Sequence, residues 1–428
     1  MLQQAPPDAA RLGRRASIAA GVGAAIEYYD LAIYGYMAVV LAPLFFPAEN
    51  ETASMLGTLA VFGSGFFARP LGGMAFGRLG DRRGRRAVLM VTLIVMGVAT
   101  LAAGLIPTYA TAGVAAPVLL TLVRVVQGFS AGGEIGGASS LAVESAPSRR
   151  RGLFGSATSI GCAIGMASAS AVVGLMTAVT TSEQMASWGW RVPFLIAAPL
   201  LVAAIVLRKR VEDSPVFEEM LAKSAPAKTP VKEVLRDHRP STLRVILICY
   251  GHSTAGGLSS VYLVVYLTTV LNYPLSGTVW LTVLITLMPL AVIPWAGALS
   301  DRIGRRRVLV MGLGGFALLA VPCFWLMQQG SMALAVVAAL VLNVPFGIGQ
   351  GVVYTVYPEL FPTRVRYTGV SLGFNIGGVL GSGLYAVTVT WLIDATGSAM
   401  APAYYIIFST LIGLAAVATL RETSRAQL

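Results

Sequence analysis

The sequence predicts an all-α polytopic membrane protein with two pseudo-symmetric bundles of six transmembrane helices. The first observation behind this prediction is the composition, with 56% hydrophobic and 12% charged residues and a mean hydropathy of +0.75. Soluble domains are about 25% charged. The second is the length of the apolar runs, since about 20 apolar residues span a bilayer as a helix. The third is an internal repeat.

The apolar runs number twelve. Backbone groups in lipid must be paired within their own segment, so each run is predicted to be helical. The predicted organisation is a tail at 1–16, a first bundle at 17–207, a linker at 208–242, a second bundle at 243–420 and a tail at 421–428. We expect one or two short surface helices in the linker. The runs lie at roughly 17–43, 53–76, 87–107, 114–143, 152–177, 188–207, 243–271, 276–299, 308–327, 332–357, 369–393 and 401–420.

The repeat joins the second run to the third and the eighth run to the ninth. Gly77–Arg86 reads GRLGDRRGRR, and Gly297–Arg306, 220 residues later, reads GALSDRIGRR. Both copies keep Gly-x-Leu-x-Asp-Arg-x-Gly-Arg-Arg, and we expect each to be a short basic loop. Internal duplication of this kind is typical of transporter folds, in which the site lies between the two halves.

The positive charges predict the orientation of the chain. Of the 31 Lys and Arg residues, 28 fall in the two tails and at alternate junctions between runs. Because positive residues stay on the cytoplasmic side, we expect a multi-pass protein of the plasma (inner) membrane with both termini cytoplasmic. The net charge of +12 then reflects orientation, and no nucleic-acid partner is expected. The three cysteines offer no metal-ligand spacing, and no metal or other cofactor is expected.

Charged residues inside the first six runs are the main candidates for function. Spacings of three and four place Glu27, Asp30 and Tyr34 on one helix face. An ionised acid at the bilayer centre costs a few kcal/mol, so these acids border a wet path or pair with arginines. Arg69 either pairs with Glu27 or extends toward the cytoplasmic surface. In the fourth run, we expect Arg124 and Glu134 to couple proton movement to conformation.

The second half offers weaker candidates. His252 interrupts the seventh run, and a histidine there can shuttle protons; an ordinary hydrogen-bonding role is equally open. Asn375 in the eleventh run is a candidate for the cavity. No acid lies in the interior of the second half, so we expect the proton chemistry in the first bundle.

The repeated segments and the ends of the fourth and tenth runs predict a cytoplasmic latch. In it, Asp81 and Asp301 engage arginines and the N-termini of facing helices. The alternative is that the arginines only fix the topology. The latch candidates are Gly77, Asp81, Arg82, Gly84, Arg85, Arg86, Glu144, Asp301, Arg302, Gly304, Arg305, Glu359 and Arg364.

These patterns are similar to those of a known family. Gly77–Arg86 resembles the signature loop of the major facilitator superfamily, and Arg124-x-x-Gln127-Gly128 resembles its second motif. The first run, with EYYD at 27–30 and FFP at 45–47, is similar to its metabolite:proton symporter branch, with Leu31 replacing the usual Phe. This branch includes carriers of citrate, 2-oxoglutarate, shikimate, proline and betaine.

The resemblance implies a proton-coupled symporter that takes up a small polar metabolite, an organic acid or a zwitterionic osmolyte, by alternating access. The repeat gives a complete site within one chain, so we expect a functional monomer in the lipid bilayer. The alternative is a drug or metabolite:proton antiporter. Such exporters carry a Gly-Pro motif in the fifth helix, where this chain reads GLFGSATSIGCAIGMASAS. An enzyme is not expected, because His238 and His252 are the only histidines and no nucleotide-binding GxxxxGK[ST] loop is present.

Overall fold

The computed structural model describes residues 7–47, 51–209, 213–223 and 226–426, and regular structure in these ranges is helical throughout. Predictions that concern residues 1–6, 48–50, 210–212, 224–225 and 427–428 fall outside the described part. The first six long helices are α1 Pro7–Phe45, α2 Glu51–Arg83, α3 Arg85–Leu105, α4 Ala115–Glu144, α5 Arg151–Val179 and α6 Ala197–Lys209. Short helices at Tyr109–Ala112, Ser182–Gln184, Met185–Gly189 and Arg191–Leu195 lie between them.

The second six long helices follow two helices in the linker, Pro215–Lys223 and Pro230–Asp237, called here the first and second linker helices. They are α7 Arg239–Ser259, α8 Leu275–Ile303, α9 Arg305–Met327, α10 Met332–Glu359, α11 Arg366–Gly378 and α12 Ala401–Ala418. Val261–Val265 and Tyr266–Val270 continue α7, Thr363–Val365 precedes α11, and Val379–Gly383 and Tyr385–Thr396 continue it.

Eleven helical segments in the described part of the chain are long and apolar enough to cross a membrane. The predicted second span lies outside these eleven. Its helix, α2, has 33 residues, which at 1.5 Å per residue gives about 50 Å. Length therefore allows α2 to cross as well, and the predicted order of twelve helices is retained.

Helix α1 begins at Pro7, ten residues before the predicted start, in a stretch that we expected to be a disordered tail. Residues 7–16 are rich in Ala, Leu and Arg, which favour helix. Ala16 is 1% exposed, so packing holds the end of this extension. The stretch from Pro7 onward, predicted as a tail, is therefore helical.

The two repeated segments are almost entirely helical, contrary to the expected loops. Helices α2 and α3 are separated only by Gly84, whose φ is +103°. Helices α8 and α9 are separated only by Gly304, with φ +102°. Other side chains rarely adopt such positive φ values, so glycine allows the chain to reverse within one residue.

Within the described residues, the two bundles pack against each other toward one end. We call this end the basic face; it carries residues 77–86 and 297–306 and the start of α1. Near it, one hydrophobic cluster joins Ala24, Ile135 and Cys162 of the first bundle to α10 and α11 of the second. Toward the opposite face, the described residues form separate clusters within each bundle. The structure is thus closed at the basic face.

Candidate functional site

Helix α1 carries the two central acids. Glu27 and Asp30 lie one turn apart and are 1% and 5% exposed. Each meets an arginine from a different helix. Arg69 Nη2 of α2 lies 3.0 Å from Glu27 Oε1, and Arg124 Nη1 of α4 lies 3.3 Å from Asp30 Oδ2. The open question about Arg69 is therefore answered, because it pairs with Glu27.

Asp30 belongs to a hydrogen-bonded network that joins three helices. Thr100 Oγ1 of α3 donates to Asp30 Oδ1 at 2.6 Å, and Gln127 Nε2 of α4 donates to the same oxygen at 2.5 Å. Arg124 Nη1 also donates to Gln127 Oε1 at 2.8 Å. Donors to a buried carboxylate favour its charged form, so this network and Arg124 offset part of the cost of burying Asp30.

Aromatic rings hold the two arginines in place. The Arg124 guanidinium lies 4.0 Å from the ring centroid of Tyr34, and Arg69 lies 5.2 Å from that of Phe66. Tyr34 Oη donates to the carbonyl of Thr58 at 3.0 Å. Cation–π contacts strengthen when they are removed from water. Tyr34, predicted to share a face with the acids, therefore positions the guanidinium of Arg124.

Glu27 is bound less completely than Asp30. Both of its carboxylate oxygens are buried and have no hydrogen-bond partner within the described residues. Its 3.0 Å contact with Arg69 is an ion pair that does not meet hydrogen-bond geometry. A buried carboxylate without hydrogen-bond donors is costly, so the burial of Glu27 is less well compensated than that of Asp30.

A small cavity surrounds these groups. It lies wholly on the first bundle, among α1, α2 and α4, which agrees with the predicted inequality of the two halves. The polar and charged residues that line it are Glu27, Asp30, Arg69, Arg124 and Gln127.

Glu134 is separate from this cavity, although we expected it to act with Arg124. Ten residues separate the two on α4, which is about 15 Å along a helix. Glu134 instead forms an ion pair with Arg208 of α6 and accepts a hydrogen bond from Thr92 Oγ1 at 2.8 Å. Sequence reasoning assigned Arg208 to the linker and missed this pair. An unpaired acid in the fourth run was the signal that could have indicated a partner.

The second-bundle candidates have neutral partners. His252 Nε2 lies 2.7 Å from Gln350 Oε1, and its ring stacks on Phe346 with centroids 5.2 Å apart. Asn375 does not line the cavity described above. Its Nδ2 donates to the carbonyls of Gly132, at 2.7 Å, and Ser371, at 2.6 Å. Since Gly132 lies on α4, Asn375 joins the two bundles.

Two further hydrogen bonds cross between the bundles near the cavity. The hydroxyls of Tyr28 on α1 and Tyr354 on α10 lie 3.2 Å apart. Ser159 Oγ of α5 donates to the carbonyl of Gln350 at 2.5 Å. With Asn375, these contacts close the protein between the cavity and the basic face.

The first half of the predicted latch is formed at the basic face. Asp81 accepts hydrogen bonds from the backbone N–H groups of Tyr367, at 3.1 Å, and Thr368, at 2.9 Å, in the first turn of α11. Glu144 is buried between two arginines, Arg85 at 3.2 Å and Arg366 at 2.7 Å. Both acids therefore connect the first bundle to the second.

The second half of the latch repeats this arrangement in the opposite direction. Asp301 of the second bundle accepts hydrogen bonds from Gly152 N, at 2.8 Å, and Leu153 N, at 3.0 Å, in the first turn of α5. Arg305 lies 2.8 Å from Asp301 and 3.3 Å from Glu359. The predicted engagement of both aspartates with arginines and helix N-termini is thus present in the structure.

Other latch candidates differ in their roles. Gly77 lies directly against the backbone of Thr368, so a side chain there would prevent this approach. Arg86 Nη2 donates to the carbonyl of Lys209 at 2.9 Å, and Arg364 pairs with Glu233 of the second linker helix at 2.5 Å. Arg82 and Arg302 are exposed and lie outside the buried network. Their membership of the latch therefore stays a prediction.

A third repeat, which sequence reasoning missed, completes the latch. Asp213 Oδ1 accepts hydrogen bonds from the first N–H groups of α3, with Arg85 N at 2.7 Å. Glu422 does the same at α9, with Arg305 N at 2.9 Å. In each half the next residue is a hydroxyl that donates to the latch glutamate: Ser214 to Glu144 and Thr423 to Glu359. In the sequence, this repeat is visible only as an acidic residue followed by a hydroxyl residue, at two positions 209 residues apart.

Glu422 remains ionised at neutral pH. Burial raises its pKa, but hydrogen bonds from the backbone N–H groups of Arg305, Ser424 and Arg306 outweigh this effect and hold the pKa below the usual range of glutamate. A charged Glu422 also interacts favourably with the N-terminus of α9.

Comparisons with known proteins identify this chain as similar to membrane transporters. The model of the family described as "Sugar (and other) transporter" matches residues 16–428. The Proline/betaine transporter of Salmonella typhimurium strain LT2 is 36% identical over 420 residues, covering 96% of this chain and 84% of the relative. The Glycine betaine/proline/ectoine/pipecolic acid transporter OusA of Dickeya dadantii is 35% identical, with the same coverage.

A solved structure shares the fold. The proton:xylose symporter XylE of the major facilitator superfamily, bound to 6-bromo-6-deoxy-D-glucose, aligns with a TM-score of 0.77 at 17% identity, covering 96% of this chain and 97% of that one. The duplicated latch, the charged first bundle and the match over almost the whole length lead to one assignment. The chain belongs to the sugar (and other) transporter family, has the fold of the major facilitator superfamily, and is a multi-pass membrane transporter, not an enzyme.

Proposed function

We propose that this protein is a proton-coupled symporter that takes up a small zwitterionic osmolyte, such as proline or a betaine, by alternating access. The relatives named above as proline and betaine transporters support this substrate class. They do not favour the alternative of an exporter. Among the two substrate classes expected from the sequence, the zwitterion is preferred over the organic acid.

The observation that carries the proposal is the incomplete pairing of Glu27. Its oxygens are buried without hydrogen-bond donors, while Arg69 lies 3.0 Å away. Protonation of Glu27 removes the buried negative charge and leaves Arg69 free to bind a carboxylate, to which a guanidinium is well matched. A proton and a carboxylate-bearing substrate therefore stabilise each other at this pair, which is the requirement for symport.

Asp30 and Arg124 form the second pair of the proposed site. Four contacts from Thr100, Gln127 and Tyr34 hold them, so we assign them to substrate orientation and to maintaining the electrostatic field at Glu27. His252, which hydrogen-bonds to Gln350, stays a candidate for a substrate contact from the second bundle. We propose Glu134, paired with Arg208, as a further site on the proton path.

We also propose an orientation and an assembly state. The basic face would be cytoplasmic, with both termini inside the plasma (inner) membrane, because positive residues stay inside. The coupling ion is H⁺, with no other cofactor, and the monomer is functional within the bilayer. The structure would then represent the state closed to the cytoplasm.

Uptake into proteoliposomes tests the proposal. With radiolabelled proline and glycine betaine, an external pH lower than the internal pH and an inside-negative voltage, we expect accumulation that a protonophore abolishes. One proton per zwitterion at about 100 mV provides about 2.3 kcal/mol, or about fifty-fold accumulation. Glu27→Gln should abolish this accumulation yet retain exchange of labelled for unlabelled substrate.

Asp394→Asn is the matched control, because Asp394 is exposed on the continuation of α11. It should accumulate substrate normally. If Glu27→Gln accumulates substrate as the unmodified protein does, Glu27 is not the coupling acid. If zwitterions are not accumulated at all, whereas preloaded cationic drugs leave in response to the pH gradient, the protein is an exporter.

A further inference from the structure

A second cavity lies at the basic face, away from the transport site. Four cationic residues line it, together with Thr229 and the apolar residues Val231 and Leu235, and none of the described residues that line it carries a carboxylate. The cationic residues are Arg78, Lys232, Arg236 and Arg239. All four are exposed. Asp237 lies 3.9 Å from Arg236, but an exposed pair at this distance contributes little.

Apolar side chains lie next to these charges. Leu235 on the second linker helix is 49% exposed, and Leu243, one turn inside α7, is 54% exposed. Arg239 is the first residue of α7, so the cationic residues lie where this helix leaves the bilayer. A cationic pocket beside the start of a candidate membrane-spanning helix, with exposed leucines next to it, matches a molecule with an anionic head and a hydrocarbon tail.

We propose that this cavity binds an anionic phospholipid of the adjacent leaflet. The headgroup phosphate contacts Arg78, Lys232, Arg236 and Arg239, and the acyl chains lie along Leu235 and Leu243. Charge complementarity selects an anionic lipid over a zwitterionic one, because none of the described residues that line the cavity carries a carboxylate that would neutralise the cationic residues or bind a choline group.

The site also joins parts that separate during transport. The second linker helix is bound to the second bundle, since Glu233 pairs with Arg364 at 2.5 Å and the ring of His238 packs on Phe361. Arg78, on α2, moves with the first bundle. A lipid held by both sides would stabilise the closed basic face. This regulatory step rests on the proposed alternating-access function, whereas lipid binding itself does not.

Lipid retention is measured by native mass spectrometry of the full-length protein. The protein is incubated in detergent with equal amounts of phosphatidylglycerol and phosphatidylcholine. We expect at least tenfold more bound phosphatidylglycerol, and near-equal binding after joint replacement of the four cationic residues by Gln. The matched control replaces four other exposed cationic residues by Gln and should retain the preference: Arg11, Arg14, Arg15 and Lys223.

Three results would refute the proposal that the cavity binds an anionic phospholipid. They are equal retention of both lipids by the unmodified protein, an equal loss of preference in the control, and an unchanged preference after replacement of the four pocket residues. Glycerol 3-phosphate at the lipid concentration tests the acyl contacts. If it displaces the lipid, the pocket binds soluble anions and the assignment to a phospholipid is wrong. Circular dichroism and size-exclusion profiles identify any variant that fails to fold; Arg78→Gln alone, which should lower the preference partially, then replaces it.

The stabilising effect is measured by the distance between spin labels in nanodiscs. Exposed Ser148 and Arg307, on different bundles, are replaced by labelled Cys; the native cysteines are buried. Phosphatidylglycerol should increase the short-distance population relative to phosphatidylcholine, and Arg78→Gln should remove this difference. The same distribution in both lipids would refute the stabilising effect. Neither measurement uses transport, so a negative result leaves the symport proposal to its own test.

Discussion

Asp81→Asn provides the sharpest test of the latch. The carboxylate is fully buried and accepts hydrogen bonds from Tyr367 N, at 3.1 Å, and Thr368 N, at 2.9 Å, across the bundle interface. Asparagine has nearly the same shape and keeps one neutral acceptor. The substitution therefore removes the charge without leaving a cavity.

The expected magnitude follows from these contacts. Hydrogen bonds to a charged group contribute about 1.5 to 3 kcal/mol each, and a negative charge at a helix N-terminus adds about 0.3 to 2 kcal/mol. Since one neutral hydrogen bond is retained, we expect the closed state to lose about 2 to 4 kcal/mol. At 1.4 kcal/mol per factor of ten, the ratio of closed to open molecules falls about 30- to 700-fold.

Spin labels at Ser148 and Arg307 report the separation of the bundles at the basic face, and the variant should shift the population toward longer distances. Asp301→Asn should act in the same direction, since Asp301 binds the N-terminus of α5. Asp394→Asn, an exposed acid at the opposite face, should have no effect. An unchanged distance distribution in Asp81→Asn would refute the assignment of Asp81 to the latch.

Three further predictions concern stability, measured by thermal unfolding in detergent. Glu134→Gln and Arg208→Gln should each destabilise by about 3 to 5 kcal/mol, because each leaves a buried charge unpaired; the double variant should be more stable than either, and additive losses would contradict the pairing. Gly84→Ala should lower the melting temperature, because a φ of +103° costs alanine about 1 to 3 kcal/mol, whereas Gly314→Ala, at a helical position with open space, should not. Glu422→Gln should destabilise at pH 7. The pKa of Glu422 is lower in the folded protein than in the unfolded chain. The carboxylate therefore stabilises the fold above the unfolded-state pKa, and this stabilisation is lost as the pH falls through the folded-state pKa. If Glu422→Gln remains less stable than the unmodified protein in strong acid, an ionic role of Glu422 is refuted.

The sequence was sufficient to predict the latch aspartates. Asp81 and Asp301 occupy equal positions in two segments 220 residues apart, and a repeated charge beside a membrane requires equivalent partners. Arg208, Asp213 and Glu422 could not be predicted in the same way. Their partners are residues of other helices, and hydrophobic periodicity does not specify which helices pack together.

The ion-pair partners of the buried acids could not be predicted from the sequence. Glu27 and Asp30 were identified as buried charges because an apolar run makes any acid conspicuous. Their partners were distinguished only by packing, which brings α2 to Glu27 and α4 to Asp30. For the same reason, the pairing of Glu134 with Arg208 was not predicted.

The sequence by itself determined the class of this protein, the order of its helices and the two-fold repetition of its latch, because apolar length and duplicated motifs are properties of the chain. The tertiary structure decided which face is closed, which arginine neutralises each acid, and where the bundles touch. These depend on distances between helices far apart in sequence. A buried charge must find a partner in space, and only the packed bundles determine which partner lies within reach.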